Sequence, residues 1–482
     1  MQEIIENIRK LFASYSRENI SSLEKIPQSG SNRIYFRLTT SSRSFIVTYG
    51  INIQENRTFI YFSRHFFSRQ CPVPEIFIVN EGHSLYIQED FGDSSLLSRL
   101  EEHGHNDYVY SLFEKSLKAL AKLQIRGDEG LGYEHCLTSR EFGKQAILSD
   151  MLYFKYYFLD TLQLPYDKEK LIDDFDAFSN YLSHVDHKYF MFRDFQSRNI
   201  MIRDEQVHFI DFQGGMKGAL QYDVASLLWQ AKAELPNEWK NNLLQYYMDC
   251  VDEILEKPID RIRFSSQYNG YVLIRLLQVL GAYGFRGLFE RKAHFLISIP
   301  LALRNLKWFL ENKQVGIVLP EFERLLALIV EDKMINRFEP FRADEHTPLT
   351  VYINSFSYRN GIPDEVGGHG GGFVFDCRGI YNPGRMDAFK TLTGRDKSVK
   401  DFLEQETKMP EFLNSVYDIV DLSVEDYIRR GHTHLMINFG CTGGQHRSVY
   451  AADALARHLR NKFGVRIELK HLVQEEKNWE NI

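Results

Sequence analysis

The chain has 482 residues, 44% hydrophobic and 26% charged, with a formal net charge of -7; this is the composition of two or three soluble domains, not of a fibrous or disordered chain. The acidic balance excludes a global basic field for nucleic acid, so an RNA or protein partner has no support from charge. No uninterrupted apolar run reaches the roughly 18–20 residues of a membrane span; the amphipathic start has no apolar signal core; and five scattered cysteines without a CxxC pair (Cys71, Cys136, Cys250, Cys377, Cys441) predict a reducing, cytoplasmic setting without zinc or disulfides.

Tyr35–Leu38 and Ser44–Tyr49 are short β-rich runs around a Ser/Thr turn and predict a hairpin. Residues 55–70 can form a helix stopped by Cys-Pro-Val-Pro at 71–74, and 85–88 is a further strand. Val109, Leu112, Phe113, Leu117, Leu120 and Leu123 recur at helical spacing behind an Asn/Asp cap. Helical patterns return over 142–182 and 236–330, and their apolar stripes are core faces. Between them, 199–203, a turn at Asp204–Glu205 and 207–210 predict a second hairpin. After a polar stretch at 341–348 the composition changes. Strand-like 349–354, a glycine cluster at 367–372 and strand-like 373–375 open a tail that alternates strand and helix, predicting an α/β layer.

The sequence Phe192-Arg-Asp194-x4-Asn199, followed by Ile210-Asp211-Phe212, carries the first chemistry. Phosphoryl transfer needs a carboxylate at the attacking hydroxyl and hard oxygen ligands for Mg²⁺ on the nucleotide phosphates. A hairpin between Asn199 and Asp211 brings Asp194 and Asn199 on the entering loop beside Asp211 on the exiting strand. Asp194 then orients the acceptor hydroxyl and takes its proton, while Asn199 and Asp211 bind Mg²⁺. Either aspartate alone is more simply a turn cap or a strand end; the three together favour a kinase-like site.

With Tyr222-Asp223-Val-Ala-Ser-Leu-Leu downstream, residues 1–335 resemble the aminoglycoside phosphotransferase/choline kinase family. Ser29-Gly-Ser-Asn-Arg-Ile-Tyr-Phe-Arg-Leu38, Val73-Pro-Glu-Ile76, Gln88-Glu-Asp-Phe-Gly-Asp93 and Asp194-Phe-Gln-Ser-Arg-Asn199 are similar to anomeric kinases for N-acetylmuramate and N-acetylglucosamine in cell-wall sugar recycling. The resemblance implies a bilobal α+β kinase-like domain using ATP and Mg²⁺, with an amino sugar as acceptor. It places the backbone of Gln88, Glu89, Asp90 and Phe91 at the adenine, Ser31 and Asn32 in the loop over the nucleotide, and Asp223 as a structural anchor. Two departures stand out. Phe192 replaces the catalytic-loop histidine, and the strand Ile46-Val-Thr48-Tyr49 lacks the phosphate-binding lysine, which leaves Glu55 without its ordinary ion-pair partner. Arg33, Tyr35 and Arg37 share a strand face, so Arg33 or Arg37 is the candidate substitute, beside the commoner reading of both as solvated edge charges.

The second constellation is Gly440-Cys441-Thr442-Gly443-Gly444-Gln445-His446-Arg447-Ser448, between a β run and the helical pattern Val449, Ala452, Leu455, Ala456, Leu459. Converging amides, a helix N-terminus and an arginine make an anion cradle. The spacing also fits the loop of cysteine-dependent phosphatases, in which a thiolate attacks phosphorus. With Asn354-Ser-Phe-Ser-Tyr-x-x-Gly361-Ile-Pro, Phe375-Asp-Cys-Arg378, Asn382-Pro383 and Leu392-Thr-Gly-Arg-Asp396, residues 349–482 resemble the RapZ C-terminal domain. That resemblance implies non-catalytic binding of a hexosamine phosphate by Asp376, Arg378 and the loop Cys441, Thr442, Gly443, Gly444, Gln445, His446, Arg447 and Ser448. No GxxxxGK[ST] occurs in the chain. His432 and His434, without a third ligand nearby, are taken as structural.

The reading is an α/β chain: a cytoplasmic amino-sugar kinase joined to a phosphosugar-binding domain. A pseudokinase-plus-sensor acting on a protein or RNA, and a Cys441-dependent phosphatase, stand as alternatives; oligomeric state is left open.

Overall fold

The computed structural model describes residues 2–26, 33–289, 293–296, 298–339, 341–365, 368 and 371–481. The chain divides into two compact units, Met1–Phe289 with Ser298–Arg337, and Glu290–Ile297 with Phe338–Ile482.

In the first unit, helix α1 (Gln2–Tyr15) precedes strands β1 (Ser22–Ile26), β2 (Ile34–Thr39) and β3 (Ser44–Tyr49), helix α2 (Ile53–Ser68), and strands β4 (Ile76–Val79) and β5 (Leu85–Glu89). The strands form an antiparallel sheet in the order β1-β2-β3-β5-β4. Alternation splits its faces. Phe36, Leu38, Phe45, Val47, Leu85 and Ile87 bury against Ile8 and Phe12 of α1, which leaves Arg33, Tyr35 and Arg37 together on the other side. The expected hairpin is thus the centre of a five-stranded sheet. Helix α2 starts where the Asn52 side chain accepts from the Glu55 N–H, and its chain exits into Cys71-Pro72.

The helical part comprises α3 (Leu96–His103), α4 (Asp107–Ile125), α5 (Lys144–Tyr157), α6 (Lys168–Ser183), α7 (Leu220–Leu228), α8 (Asn237–Leu255) and α9 (Arg261–Tyr283). After the short α10 (Ala293–Leu296), grouped with the second unit, come α11 (Ile299–Asn312), α12 (Pro320–Ile329) and α13 (Asp332–Phe338). Two ribbons lie between α6 and α7. Strand β6 (Lys188–Met191) pairs with β9 (Met216–Ala219), and β7 (Ile200–Arg203) pairs with β8 (Gln206–Phe209). The β7–β8 turn puts Asp204 and Glu205 both at positive φ, 50° and 59°, the twist a two-residue hairpin requires. The stretch Arg261–Phe289 is long and apolar enough by length and composition to cross a membrane, which qualifies the sequence expectation. More than half of its most apolar 18-residue window is buried, and α9 packs against α5, α7 and α11 as a core helix.

The second unit is built on four parallel strands, β10 (Thr350–Ser357), β11 (Phe373–Asp376), β12 (His434–Cys441) and β13 (Arg466–His471), in the order β11-β12-β10-β13. Helices α14 (Lys397–Gln405), α15 (Met409–Arg430), α16 (Arg447–Phe463) and α17 (Leu472–Glu476) complete it. Strands buried on both faces read as continuous apolar runs, as in Leu435-Met-Ile437. The polar interruption is met in register: Asn354 Nδ2 on β10 donates to Asn438 Oδ1 on β12 at 2.9 Å. The C-terminal ends of β10, β11 and β12 carry Ser357, Asp376 and Cys441, so the motifs of this unit gather at one edge of the sheet.

Candidate functional site

A buried carboxylate on α7 shapes the loop that carries Asp194. Asp223 accepts from the Phe192 N–H (2.7 Å), the Arg193 N–H (3.0 Å) and Gln124 Nε2 (2.9 Å). Burial pushes its pKa up to about 7, against the pull of these donors. This clamp turns the chain sharply after β6, with Arg193 at φ 79°, and Asp150 on α5 holds the Arg193 guanidinium at 2.8 Å. Phe192 packs among Phe195, Phe209 and Phe212, so aromatic contacts fix the loop where a histidine would use a hydrogen bond.

Asp194 follows, half-buried, and among the described residues no group bonds its carboxylate. Asn199 Nδ2 donates to the Asp194 carbonyl at 2.9 Å and approaches Asp211 Oδ2 at 3.4 Å; its Oδ1 has no partner there. Asp211 departs from the sequence expectation in detail. It lies two residues beyond β8, not on the strand, at φ 71°. The left-handed turn is what swings its carboxylate back toward Asn199. An Asp carboxylate beside an amide oxygen is a donor set suited to a hard divalent cation such as Mg²⁺.

Above this loop, Arg33 is 4% exposed, with Nη2 3.0 Å from Glu55 Oε1 and 3.6 Å from Asp211 Oδ1. Glu55 thus has a cationic partner, supplied by the residue just before β2. Gly50 makes room for it, because a Cβ there would stand 2.6 Å from Asn56 Oδ1 and 3.1 Å from Arg33 Cγ. Arg37, on the same face, goes elsewhere. It donates to Asp90 (2.7 Å) and Asp93 (2.8 Å), bracing the segment after β5, and these partners raise its own pKa. Ser31 and Asn32 lie outside the described residues. In the hinge, Gln88 is buried, Glu89 pairs with Arg203 at 3.2 Å, Asp90 also accepts from the Gly92 N–H, and Phe91 stacks on His208 with centroids 4.1 Å apart. The side chains of Glu89 and Asp90 are thus committed within the protein. Sequence reasoning passed over Gln213, which links Asp211 and Glu55. Its signal was a polar residue directly after Asp211-Phe212.

In the second unit the loop 441–448 has its carbonyls bonded from outside: Thr442 O by Ser357 Oγ (2.7 Å), Gly444 O by Gln474 Nε2 (3.4 Å) and Gln445 O by the Gly394 N–H (3.0 Å). Gly444 has φ 63°, and a Cβ there would meet Val473 Cγ2 at 2.7 Å. The Gly444 N–H donates to Cys441 Sγ, and Ser448 Oγ lies 3.2 Å from the same sulfur. Burial opposes ionisation, but Ser448, Arg447 and the Gly443 N–H together hold the Cys441 thiol below its ordinary range.

Arg447 opens α16 and is 4% exposed. Its Nη1 donates to the carbonyls of Ile380 (2.8 Å) and Arg378 (3.2 Å), and Nη2 reaches Thr442 Oγ1 at 3.4 Å. The buried Nε has no partner. Asp376 accepts from the Arg378 backbone and guanidinium, which hold its carboxyl below the usual range, and Arg378 stacks over Tyr358 at 3.9 Å. Arg378, Asn382, Arg385, Lys408 and Arg447 line a cavity of about 440 Å³. Gln445 and His446 turn their side chains away to bond the carbonyls of Lys390, Leu392 and Phe389, so they offer the cradle backbone only. His434 stacks on Tyr352 and pairs with Glu365; no cluster of three or more His, Cys, Asp or Glu suited to a metal occurs among the described residues.

Residues 22–254 match the phosphotransferase enzyme family, and residues 349–475 match the RapZ C-terminal domain. The chain therefore joins a phosphotransferase-family domain to a RapZ C-terminal domain. A nucleotide-binding protein of Solibacter usitatus is 40% identical over 115 residues, 24% of this chain and 34% of that protein. One of Xanthomonas euvesicatoria is 34% identical over 135 residues, 28% of this chain and 46% of its own length. The chain thus spans less than half of these relatives. Among solved structures, a choline/ethanolamine kinase family protein from Mesorhizobium loti aligns with TM-score 0.44 at 14% identity, covering 68% of this chain and 99% of that one. A choline kinase from Cryptosporidium parvum aligns with TM-score 0.46 at 13% identity, covering 68% and 100%.

Proposed function

We propose that residues 1–335 form an ATP-dependent kinase acting on a hydroxyl of an amino sugar of the N-acetylmuramate or N-acetylglucosamine type, and that residues 349–482 bind a hexosamine phosphate. The observation that carries the first half is the convergence of Asp194, Asn199 and Asp211 beneath the Arg33–Glu55 pair. Asp194, with its carboxylate uncommitted, orients the acceptor hydroxyl and takes its proton. Arg33 faces the charge that gathers on the transferring phosphoryl oxygens. Asn199 Oδ1 and Asp211 Oδ2 are the atoms that would hold Mg²⁺, which when bound neutralises charge on the nucleotide phosphates. The phosphotransferase-family match supports this reading, and the buried Arg33–Glu55 pair favours it over a pseudokinase. Five free cysteines fit a cytoplasmic protein.

In the second domain the amides of the 441–448 loop, the start of α16 and the buried, unpaired Arg447 Nε match a phosphate dianion, and the adjoining cavity has room for the sugar. A ³¹P NMR screen of amino sugars with Mg-ATP tests the kinase: a new sugar-phosphate resonance is expected, and none across the panel would refute it. A second reading, a Cys441-dependent phosphomonoesterase, draws on the lowered thiol. Against it, the nearby Asp376 carboxylate is spent on Arg378 and is unsuited to serve as a general acid. Phosphate release from p-nitrophenyl phosphate, abolished in Cys441→Ser, is the result that would support it.

A further inference from the structure

We propose that Gln213 is a positioning residue of the phosphoryl-transfer site: it holds the Asp211 carboxylate toward its cation and offers its own buried carbonyl oxygen to a donor that arrives with the metal–nucleotide complex. This rests on the kinase reading above.

Gln213 is 8% exposed, unusual for an amide side chain. Its Nε2 stands 2.9 Å from Asp211 Oδ1 and 3.4 Å from Glu55 Oε1. Both partners are carboxylate oxygens that only accept, so the amide must turn its NH₂ toward them; the reverse orientation would set oxygen against oxygen. That chemistry directs Oε1 away from the carboxylates, and there it is buried with no partner. A buried acceptor left unmade is costly, and such groups persist where a ligand or water completes them.

The charges give the amide its purpose. Arg33 bridges the same two carboxylates, 3.0 Å from Glu55 and 3.6 Å from Asp211, so two negative groups share one positive one. A second cation at position 213 would neutralise Asp211 and repel a metal. A neutral donor occupies Oδ1 and fixes the rotamer while leaving the charge, and Oδ2 on the Asn199 side, for a divalent cation. Arg33 and Gln213 thus divide the work: one supplies charge, the other supplies orientation.

The test is Mn²⁺ binding to the full chain, read by electron paramagnetic resonance with ADP present, for wild type, Gln213→Leu and Gln213→Met. Both substitutions keep bulk and remove the amide. The expected result is a Mn²⁺ dissociation constant raised about tenfold or more, as for a lost hydrogen bond to a charged group, with nucleotide-free melting close to wild type. A purely packing role would move melting and leave metal affinity alone. Wild-type Mn²⁺ affinity in a folded Leu or Met variant overturns the role of Gln213 while leaving the kinase reading intact. A wild-type protein that binds no Mn²⁺ with nucleotide overturns both.

Discussion

Arg33 Nη2 lies 3.0 Å from Glu55 Oε1, an ion pair in which the cation comes from the residue just before β2 while its partner stands on α2. The pair is nearly dry on the arginine side, where Gly50 admits the stem. Removing Arg33 would strand Glu55 beside Asp211, two carboxylates with no cation between them. Arg33→Ala should lower kcat on the order of 10²- to 10³-fold, as for loss of one preorganised donor to a transition-state oxyanion, and Arg33→Lys should recover part of it. Arg37→Ala should instead raise the ATP KM with a smaller change in kcat, because its bonds to Asp90 and Asp93 brace the hinge. Equal kcat in wild type and Arg33→Ala would remove Arg33 from the mechanism.

Asp194→Asn keeps shape and removes the base. Sugar phosphorylation should fall on the order of 10²- to 10⁴-fold, with ATP affinity retained because Asn199 and Asp211 keep their places. Steady-state kinetics with a parallel nucleotide-binding titration checks both halves, and undiminished turnover would sink the assignment.

Much of this was legible because it is local. The Asp194-x4-Asn199 loop, the β7–β8 hairpin and the strand–loop–helix around Cys441 are contiguous, and turn chemistry and periodicity mark them. What escaped depends on contacts distant in sequence. Nothing near Arg33 tells that Gly50 leaves space for it, or that it, not Arg37, reaches Glu55; strand alternation puts both arginines on one face and cannot choose between them. Gln213 gains meaning only when α2 delivers Glu55. Strand β1 was missed because it is five residues long and none of them is fully buried; helix α1, amphipathic over 14 residues, was read only for the lack of a signal core. The side chains of Gln445 and His446 turn out to hold the 389–394 loop, a role set by tertiary packing around a motif that reads as uniformly ligand-facing.

Asp453 gives a pH prediction. Burial works against its ionisation, but His471 and Arg395 outweigh it and hold its pKa down at about 2. A folded-state pKa below the unfolded value contributes stability that is present above about pH 4 and lost as pH falls toward 2. The contribution is on the order of 2 kcal/mol at neutral pH. Asp453→Asn should therefore be less stable than wild type in urea at pH 7, and the gap should narrow between pH 4 and pH 3. A gap constant with pH would show that packing, not the charge, is what the substitution removes.

Arg447 divides its guanidinium between scaffold and ligand, and that division sets the last prediction. Nη1 is spent on the carbonyls of Arg378 and Ile380, tying the loop after β11 to the start of α16. Nε is buried without a partner, and Nη2 makes only the 3.4 Å contact to Thr442 Oγ1, so these two nitrogens keep donors for an oxyanion beside the 441–448 amides. Replacement by Ala should cost on the order of 1.5–3 kcal/mol of binding, or about 10- to 100-fold, as for a lost charge-assisted hydrogen bond. Lysine should rescue poorly, since a point charge cannot serve both carbonyls and a phosphate at once. Calorimetry on the full chain with glucosamine 6-phosphate, glucosamine and inorganic phosphate separates the contributions. Wild type should bind the sugar phosphate and not the free sugar, and Arg447→Ala should lose affinity for both phosphate-bearing ligands by a similar factor, because the contact is to phosphate alone. If glucosamine binds as tightly as its 6-phosphate, the loop is not an anion cradle, and Arg447 is only the tie between α16 and the carbonyls it holds.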